Sequence, residues 1–529
     1  LTTLRHENNS HLNANATYAP HFDEQLYERQ LGPGPYLHHH HQDLNHATVA
    51  DFHQSSIADL SGGHQDRHLD SQPSRLIGET GESNPYLLRC YHYDDNEECT
   101  VSEVTYRRIK RTPRISNVPG AKDEPPAVFM LADDSHAQKA EPRVEEHVLA
   151  QARQEISQMF TDEESFRLLG VYFRFVDPYF PILPRSQYFV NGVLRRQAIN
   201  GLPLSLISAL YATALPFILY DELLATALVH VPDHSNQLYR ISSLALAQEL
   251  HTPRLATLQA ALLLLQRKPS HHYTTDTPWK TSLIACAVSV AHNLGLNHDC
   301  SGWSSLPMWE LTLRKRLWHA VFLMEKWTSL GAGMPSHIHT EGFDVQPLWP
   351  SECELTDVPD AECHFRLLTE LTAILSDVME TYYSVRAVQR TSKDFLLSLD
   401  LAHSLRGRLK SWNDSFPPAL SSHHPDSVGY HGMAGLGGHP SLRLGFIVAN
   451  MTLFRALLRP VENMSSIDTQ DRGTLGSRMA VRAGAKGCAE EAVEFVENLE
   501  RGAMDAFWHS CKLRLAPIHH VFIHVIRPN

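Results

Sequence analysis

The residues of this chain best suited to chemistry are an acidic run, Asp94-Asp95-Asn96-Glu97-Glu98, and a run of four histidines, His38 to His41. Clustered carboxylates hold a divalent cation when two such motifs face each other across helices. Here a second motif is missing: Asn413-Asp414 lacks the hydroxyl and carboxylate one and two turns further on, and Pro417-Pro418 breaks the helix instead. The acidic run also lies in a strip without helical spacing, so a helical metal-dependent enzyme using Asp94 and Asp95 is the alternative reading and not the leading one. The histidine run is simplest as a low-complexity tract. Other catalytic patterns fail at a defining residue. His6-Glu7-Asn8-Asn9-Ser10 ends in serine where HExxH needs its second histidine, and Gly81-Glu82-Ser83-Asn84-Pro85 ends in proline where GxSxG needs glycine. Neither a P-loop nor a GxGxxG pattern occurs, and Gly435-Leu436-Gly437-Gly438 sits in a Gly/His/Pro-rich insertion. Cys90, Cys99, Cys286, Cys300, Cys353, Cys363, Cys488 and Cys511 are scattered, and no two are separated by two residues. That excludes the CxxC half-site of structural zinc and points to a reducing compartment. No catalytic residue, cofactor-binding residue or metal ligand is assigned, and the chain reads as a non-enzyme.

The elements that would position any site are helical. The chain has 529 residues and a formal net charge of −13. Residues 1–150 carry −10 of that and the remainder −3, so bulk electrostatics oppose nucleic-acid binding. Residues 1–82 are His/Asn/Gly/Pro-rich with isolated apolar side chains, and read as disordered. Residues 83–142 read as a semi-ordered strip with some strand character, closing in a linker from Lys122 to Pro142. Within it Arg107, Arg108, Lys110, Arg111 and Arg114 form a basic cluster suited to nuclear import, or else a solvated face balancing Asp94, Asp95, Glu97 and Glu98. From 143 to 511 the apolar spacing is helical, with an insertion at about 421–440 and a polar loop from Asn463 to Ser477; residues 512–529 read as an irregular end. Leu204 to Leu215 is a nearly all-apolar helix stopped by Pro216, and Leu255 to Gln266 is a buried helix. The expected fold is all-α, a large multi-helix domain behind a disordered front. No run of about 18 apolar residues occurs, so no membrane partner is expected. The chain opens on Leu1 and not on Met, which suggests that a segment precedes it.

Three stretches in order carry a family resemblance. Phe173-Arg174-Phe175-Val176-Asp177-Pro178-Tyr179-Phe180-Pro181-Ile182-Leu183 resembles the opening of the fungal-specific transcription factor domain of zinc-cluster (Zn2Cys6) regulators. Ala291-His292-Asn293-Leu294-Gly295-Leu296-Asn297 is similar to a helix end of that family. Arg314-Lys315-Arg316-Leu317-Trp318-His319-Ala320-Val321-Phe322, Glu325-Lys326-Trp327-Thr328-Ser329-Leu330 and Gly333-Met334-Pro335-Ser336-His337-Ile338 resemble its basic, Trp-containing helix and the G-x-P turn after it. The signature positions are Pro178, Phe180, Pro181, Leu294, Gly295, Arg316, Leu317, Trp318, Trp327, Gly333 and Pro335. The match spans roughly 165–500. Ser83 to Leu88, the Tyr106-Arg107-Arg108-Ile109 block and Lys326 to Leu330 further resemble TamA-type nitrogen-utilisation co-regulators.

The resemblance implies a nuclear regulator of RNA polymerase II transcription, in which a helical domain couples a small-molecule effector or a partner protein to gene expression. It implies other transcription factors or coactivators as partners, with a homodimer among the candidates. It also implies zinc in an N-terminal cluster, which is absent from this chain, so DNA would be reached through a missing N-terminal module or a partner factor. A helical scaffold that only binds proteins is the third reading. Read as residues alone, the signature is structural. On an amphipathic helix at least two of Arg314, Lys315 and Arg316 should face water or pair with acids. Trp318 and Trp327, nine positions apart, fall on opposite faces, so one should be core and the other nearer a surface.

Overall fold

The computed structural model describes residues 69–81, 83–111, 126–131, 144–228, 234–268, 277–349, 361–416, 436, 438–463, 472–499 and 501–510. Residues 1–68, Arg114, most of the 421–440 insertion and 512–529 lie outside the described residues, as does most of the polar loop from Asn463.

The chain enters as a small antiparallel sheet. Its strands β1 (Ser74–Leu76), β2 (Glu98–Val101), β3 (Val104–Ile109) and β4 (Ala127–Leu131) lie in the order β1-β4-β3-β2. β4 alternates strictly: Ala127 and Phe129 point to one face and Val128 to the other, and all three are buried. One face packs with Leu69 and Ile109 onto Trp303, Cys300 and Leu306 of the helical body, with Phe129 edge-on to Trp303 at 5.7 Å. The other face is covered by Leu88 and Tyr93. This sheet corrects two boundaries. Leu69 to Gly81, read as part of a disordered front, is ordered, and Ala127–Leu131, inside the segment read as a linker, is a central strand. The first pairs with β4 across more than fifty residues, and β4 pairs in addition with β3; local periodicity registers neither.

Asp70 joins the sheet to the helices. Its carboxylate accepts the Leu255 amide at 2.9 Å, at the first residue of a helix whose side chains are almost all buried. Burial pushes the Asp70 carboxyl up to about 6, against the opposing pull of that amide. A raised carboxyl favours the protonated folded state, so this group's contribution to stability is lost as pH rises from about 4 to about 6. Asp70→Asn keeps an acceptor without the charge. It is expected to be more stable than wild type by about 1–2 kcal/mol at pH 7.5, after allowing for partial solvent screening, and not at pH 4. Urea titrations at the two pH values read the difference directly.

Behind the sheet the structure is helical, as the spacing predicts. In order come α1 (Glu146–Met159), α2 (Asp162–Phe175), α3 (Leu204–Ala214), α4 (Ser235–Glu249), α5 (Leu255–Leu264) and α6 (Thr277–Asn293). They are followed by α7 (Met308–Ala332), α8 (Ala361–Tyr382), α9 (Phe395–Asp414), α10 (Pro440–Asn463) and α11 (Arg472–Glu497). The start of α2 is a capping box, Thr161 with Glu164, and α3 gives way to a 3-10 turn at Leu215 with Pro216 inside it. α11 begins six residues before the helical spacing suggests, because its first turns are polar and glycine-rich. α3, α4 and α5 pack together, and α8, α9 and α10 form a second group. α7 touches both, meeting α5 and α6 on one side and α8 on the other. α10 is long and apolar enough to cross a membrane, but 83% of its most apolar window is buried inside the protein.

Candidate functional site: the signature helix and its cavity

The signature motifs converge on α7. Because α7 is enclosed on opposite sides, Trp318 and Trp327 are both fully buried. The expectation that one of them would approach the surface is overturned. The opposed faces are real, but each has its own cover: Trp327 donates its indole N–H to Thr372 of α8 at 2.9 Å, while Trp318 packs against Phe343 at 5.3 Å and His292 at 5.8 Å. The same enclosure takes in the basic triplet. Arg314, Lys315 and Arg316 are 2%, 4% and 0% exposed, so no phosphate reaches them. Arg314 does pair with an acid, Glu310 one turn back at 2.8 Å, and also donates to the Leu294 carbonyl at 3.0 Å. The i,i+4 spacing of Glu310 and Arg314 was the sequence signal for that pair.

The first motif is a buried turn. After α2 the chain folds back through Asp177 to Ile182, with Asp177 and Phe180 fully buried. Asp177 pairs with Arg185 at 3.0 Å. Burial pushes the Tyr172 hydroxyl well above its ordinary range, with Asp177 adding to that and Arg316 opposing it. Phe180 meets Phe365 of α8 at 6.4 Å and His509 at 4.9 Å, and the Ile182 carbonyl accepts from Gln259 of α5 at 2.7 Å. Pro178 and Pro181 set this reversal, which ties the two helical groups together.

Both signature glycines close helices in the same way. Gly295 ends α6 at φ +68° with Leu296 N donating to Ala291 O, and Gly333 ends α7 at φ +68° with Met334 N donating to Ser329 O. Past Gly333 the turn through Pro335 is held by two fully buried side chains of α7. Glu325 accepts from Ser336 Oγ at 2.9 Å and the His337 amide at 2.7 Å, and Lys326 donates to the Ile338 carbonyl at 2.6 Å.

The basic cluster lies on the sheet. Arg107 bonds Glu98 at 2.9 Å and Arg108 bonds Glu97 at 2.7 Å, while Lys110, mostly exposed, meets Glu97 at 2.6 Å. Burial works against the Glu97 charge, yet Lys110 and Arg108 hold its carboxyl below the usual range. Arg111 joins the body through a backbone bridge to Trp303. Asp94 accepts from the amides of Asn96 and Glu98 and so shapes the turn into β2. Among the described residues no three His, Cys, Asp or Glu side chains are placed to hold a metal ion. The described residues therefore offer no donor set for the zinc cluster that the resemblance implies.

Two concavities mark the helical body. One of about 770 Å³ lies between α1, α2 and α3, with Arg153, Ser157, Arg196 and Asn200 beside Phe160 and Tyr211. The other, of about 660 Å³, lies against the signature helix and is walled by rings and small residues: Trp318, Phe322, Phe343, Ile374, Gly407 and Trp412. Sequence reading singled out Trp318, with Phe322 in the same motif, but not the companions that come from α8, α9 and the 343–347 segment.

The signature motifs thus share one interior helix that packs against both helical groups. Residues 169–414 match the fungal specific transcription factor domain. An uncharacterized transcriptional regulatory protein of Schizosaccharomyces pombe is 27% identical over 326 residues, 60% of this chain and 46% of its own length. Transcriptional activator protein DAL81 of Saccharomyces cerevisiae is 24% identical over 434 residues, 74% of this chain and 41% of its own length. The acetamidase regulatory protein of Aspergillus fumigatus is 23% identical over 262 residues, 48% of this chain and 31% of its own length. The chain thus spans less than half the length of these relatives. Two of these relatives are named as transcription regulators and the third as a regulatory protein. No solved structure matches it.

Proposed function

We propose that this chain is the regulatory region of a fungal RNA polymerase II transcription factor that acts in the nucleus and answers to an effector or a partner protein. The observation that carries this reading is the extent of the similarity to a transcriptional activator, 74% of the chain, centred on the matched domain. A role in nitrogen-source utilisation is the finer form of the proposal. It draws on the resemblance of Ser83 to Leu88, the Tyr106 block and Lys326 to Leu330 to nitrogen co-regulators, and on an acetamidase regulator among the relatives. DNA would be reached through a module outside this chain or through a partner factor, with coactivators or a second copy of the chain as further partners. The basic cluster from Arg107 to Arg114 is proposed for nuclear import, with Lys110 its most accessible described member.

Residues 1–529 fused to a heterologous DNA-binding domain are expected to activate or repress a reporter, with the response changing between nitrogen sources. A fusion that is folded and nuclear yet silent on every source would sink the proposal. A response indifferent to nitrogen source would remove only its finer part.

A further inference from the structure

The 660 Å³ cavity beside α7 has a built character that its surroundings explain. Its floor is aromatic: Trp318 is fully buried, and Phe322 and Trp412 are 6% and 5% exposed. The indole N–H of Trp412 is taken by the Leu367 carbonyl at 2.9 Å, whereas that of Trp318 is buried with no acceptor in the protein. One side of the mouth is a face of α9 that presents Ser404, Gly407 and Ser411, which keeps the opening wide. The charges at the rim are already spoken for: Arg408 pairs with Asp377, and Glu370 with Arg366. A site with ring walls, small hydroxyls at the mouth and no uncommitted charge selects against ions. Its volume falls in the usual range for small-molecule sites, about 300–1,000 Å³.

We propose that this cavity binds a neutral, ring-bearing small molecule. The rings stack against Phe343 and Trp412, which line it. This deepens the regulatory reading by naming an effector class, and it rests on that reading only for what binding achieves, not for where binding occurs.

Gly407 makes the test clean. It lies within α9, and a Cβ built on it meets nothing within 4 Å. Gly407→Phe therefore adds a ring at the cavity lining from an open Cβ position, and removing a helix-interior glycine favours the fold. Gly487→Phe is the control, since Gly487 is equally open but lies on α11, outside the cavity. Nile red, which is neutral, fused-ring and carries a carbonyl, is the probe, titrated by fluorescence into the purified full chain. Saturable binding at one site is expected, weakened at least about tenfold by Gly407→Phe and unchanged by Gly487→Phe. Anilinonaphthalene sulfonate, of similar size but anionic, should compete poorly. Three results would each overturn the proposal: no saturable binding, equal affinity in Gly407→Phe and wild type, or a Gly407-dependent site that prefers the sulfonate. The reporter fusion is a separate measurement, so its silence would sink the regulatory reading while leaving the dye result standing.

Discussion

Replacing Glu325 with alanine is expected to cost about 3–5 kcal/mol of stability, because it takes one of two carboxylates from a buried cation and leaves three donors without their acceptor. Glu325 and Lys326 are both fully buried on α7. Glu325 gathers the Ser329 hydroxyl at 3.0 Å, the Ser336 hydroxyl at 2.9 Å and the His337 amide at 2.7 Å. Lys326 reaches Ser336 Oγ at 2.7 Å and the Ile338 carbonyl at 2.6 Å, with Glu325 at 4.0 Å and Glu380 at 3.8 Å. Alanine removes the acceptor of three donors and one of the two charges that balance the ammonium. Burial already holds the Lys326 amine below its usual range, against the pull of Glu325 and Glu380. A base depressed in the folded state makes stability rise with pH up to the unfolded value, 10.5. The deficit of Glu325→Ala should therefore be largest near neutrality and shrink toward pH 10. Glu325→Ala/Lys326→Met, which removes the stranded charge, should recover part of the loss. Urea titrations of the three proteins at pH 7 and pH 9.5 measure this, and a single variant that unfolds with wild type at pH 7 would refute it.

Gly295→Ala is expected to lose about 2–4 kcal/mol, while Gly333→Ala, at the same φ of +68°, loses only about 1 kcal/mol. Both positions demand the left-handed conformation, which costs any residue with a Cβ. The difference is what the added methyl meets. At Gly333 it meets nothing within 4 Å, whereas at Gly295 it lies 3.2 Å from Leu76 Cδ2 and from Phe129 Cζ. Leu76 belongs to β1 and Phe129 to β4, so the glycine that ends α6 is also where the sheet seats on the helices. The extra loss should appear as faster amide hydrogen exchange across β1 and β4, absent from Gly333→Ala. Equal losses in the two variants would show that the sheet contact carries no energy.

Much of the helical body was legible in the sequence because helices announce themselves locally. The apolar run from Leu204 stops at Pro216 where it should, Gly295 and Gly333 end α6 and α7 as C-terminal glycines do, and Thr161 with Glu164 opens α2. The sheet was only half legible. β2 and β3 are neighbours with a two-residue turn and left a strand signal, but β1 pairs with β4 from Ser74 to Leu131, and no window of sequence spans that distance. The site fared in the same way. Trp318 stood out by its motif, but Phe343, Ile374, Gly407 and Trp412 come from three separate segments and gave no joint signal.

By itself, then, the sequence determined the helices, their ends, the family resemblance and the absence of a recognisable catalytic pattern, since each is carried by residue types at short spacing. Only the tertiary structure decided how the faces of α7 are used. A period of 3.6 residues tells which side chains share a face, but not whether that face has a neighbour. Here both faces do, so Trp318 and Trp327 are equally buried, and Arg314 to Arg316, basic enough in sequence to suggest a surface, became interior charges. The acidic run that first suggested metal chemistry met the same outcome: Glu97 and Glu98 hold the arginines of the adjoining strand, and Asp94 shapes the turn before it. Burial and partners depend on what packs from far along the chain, and that information exists only once the chain has folded.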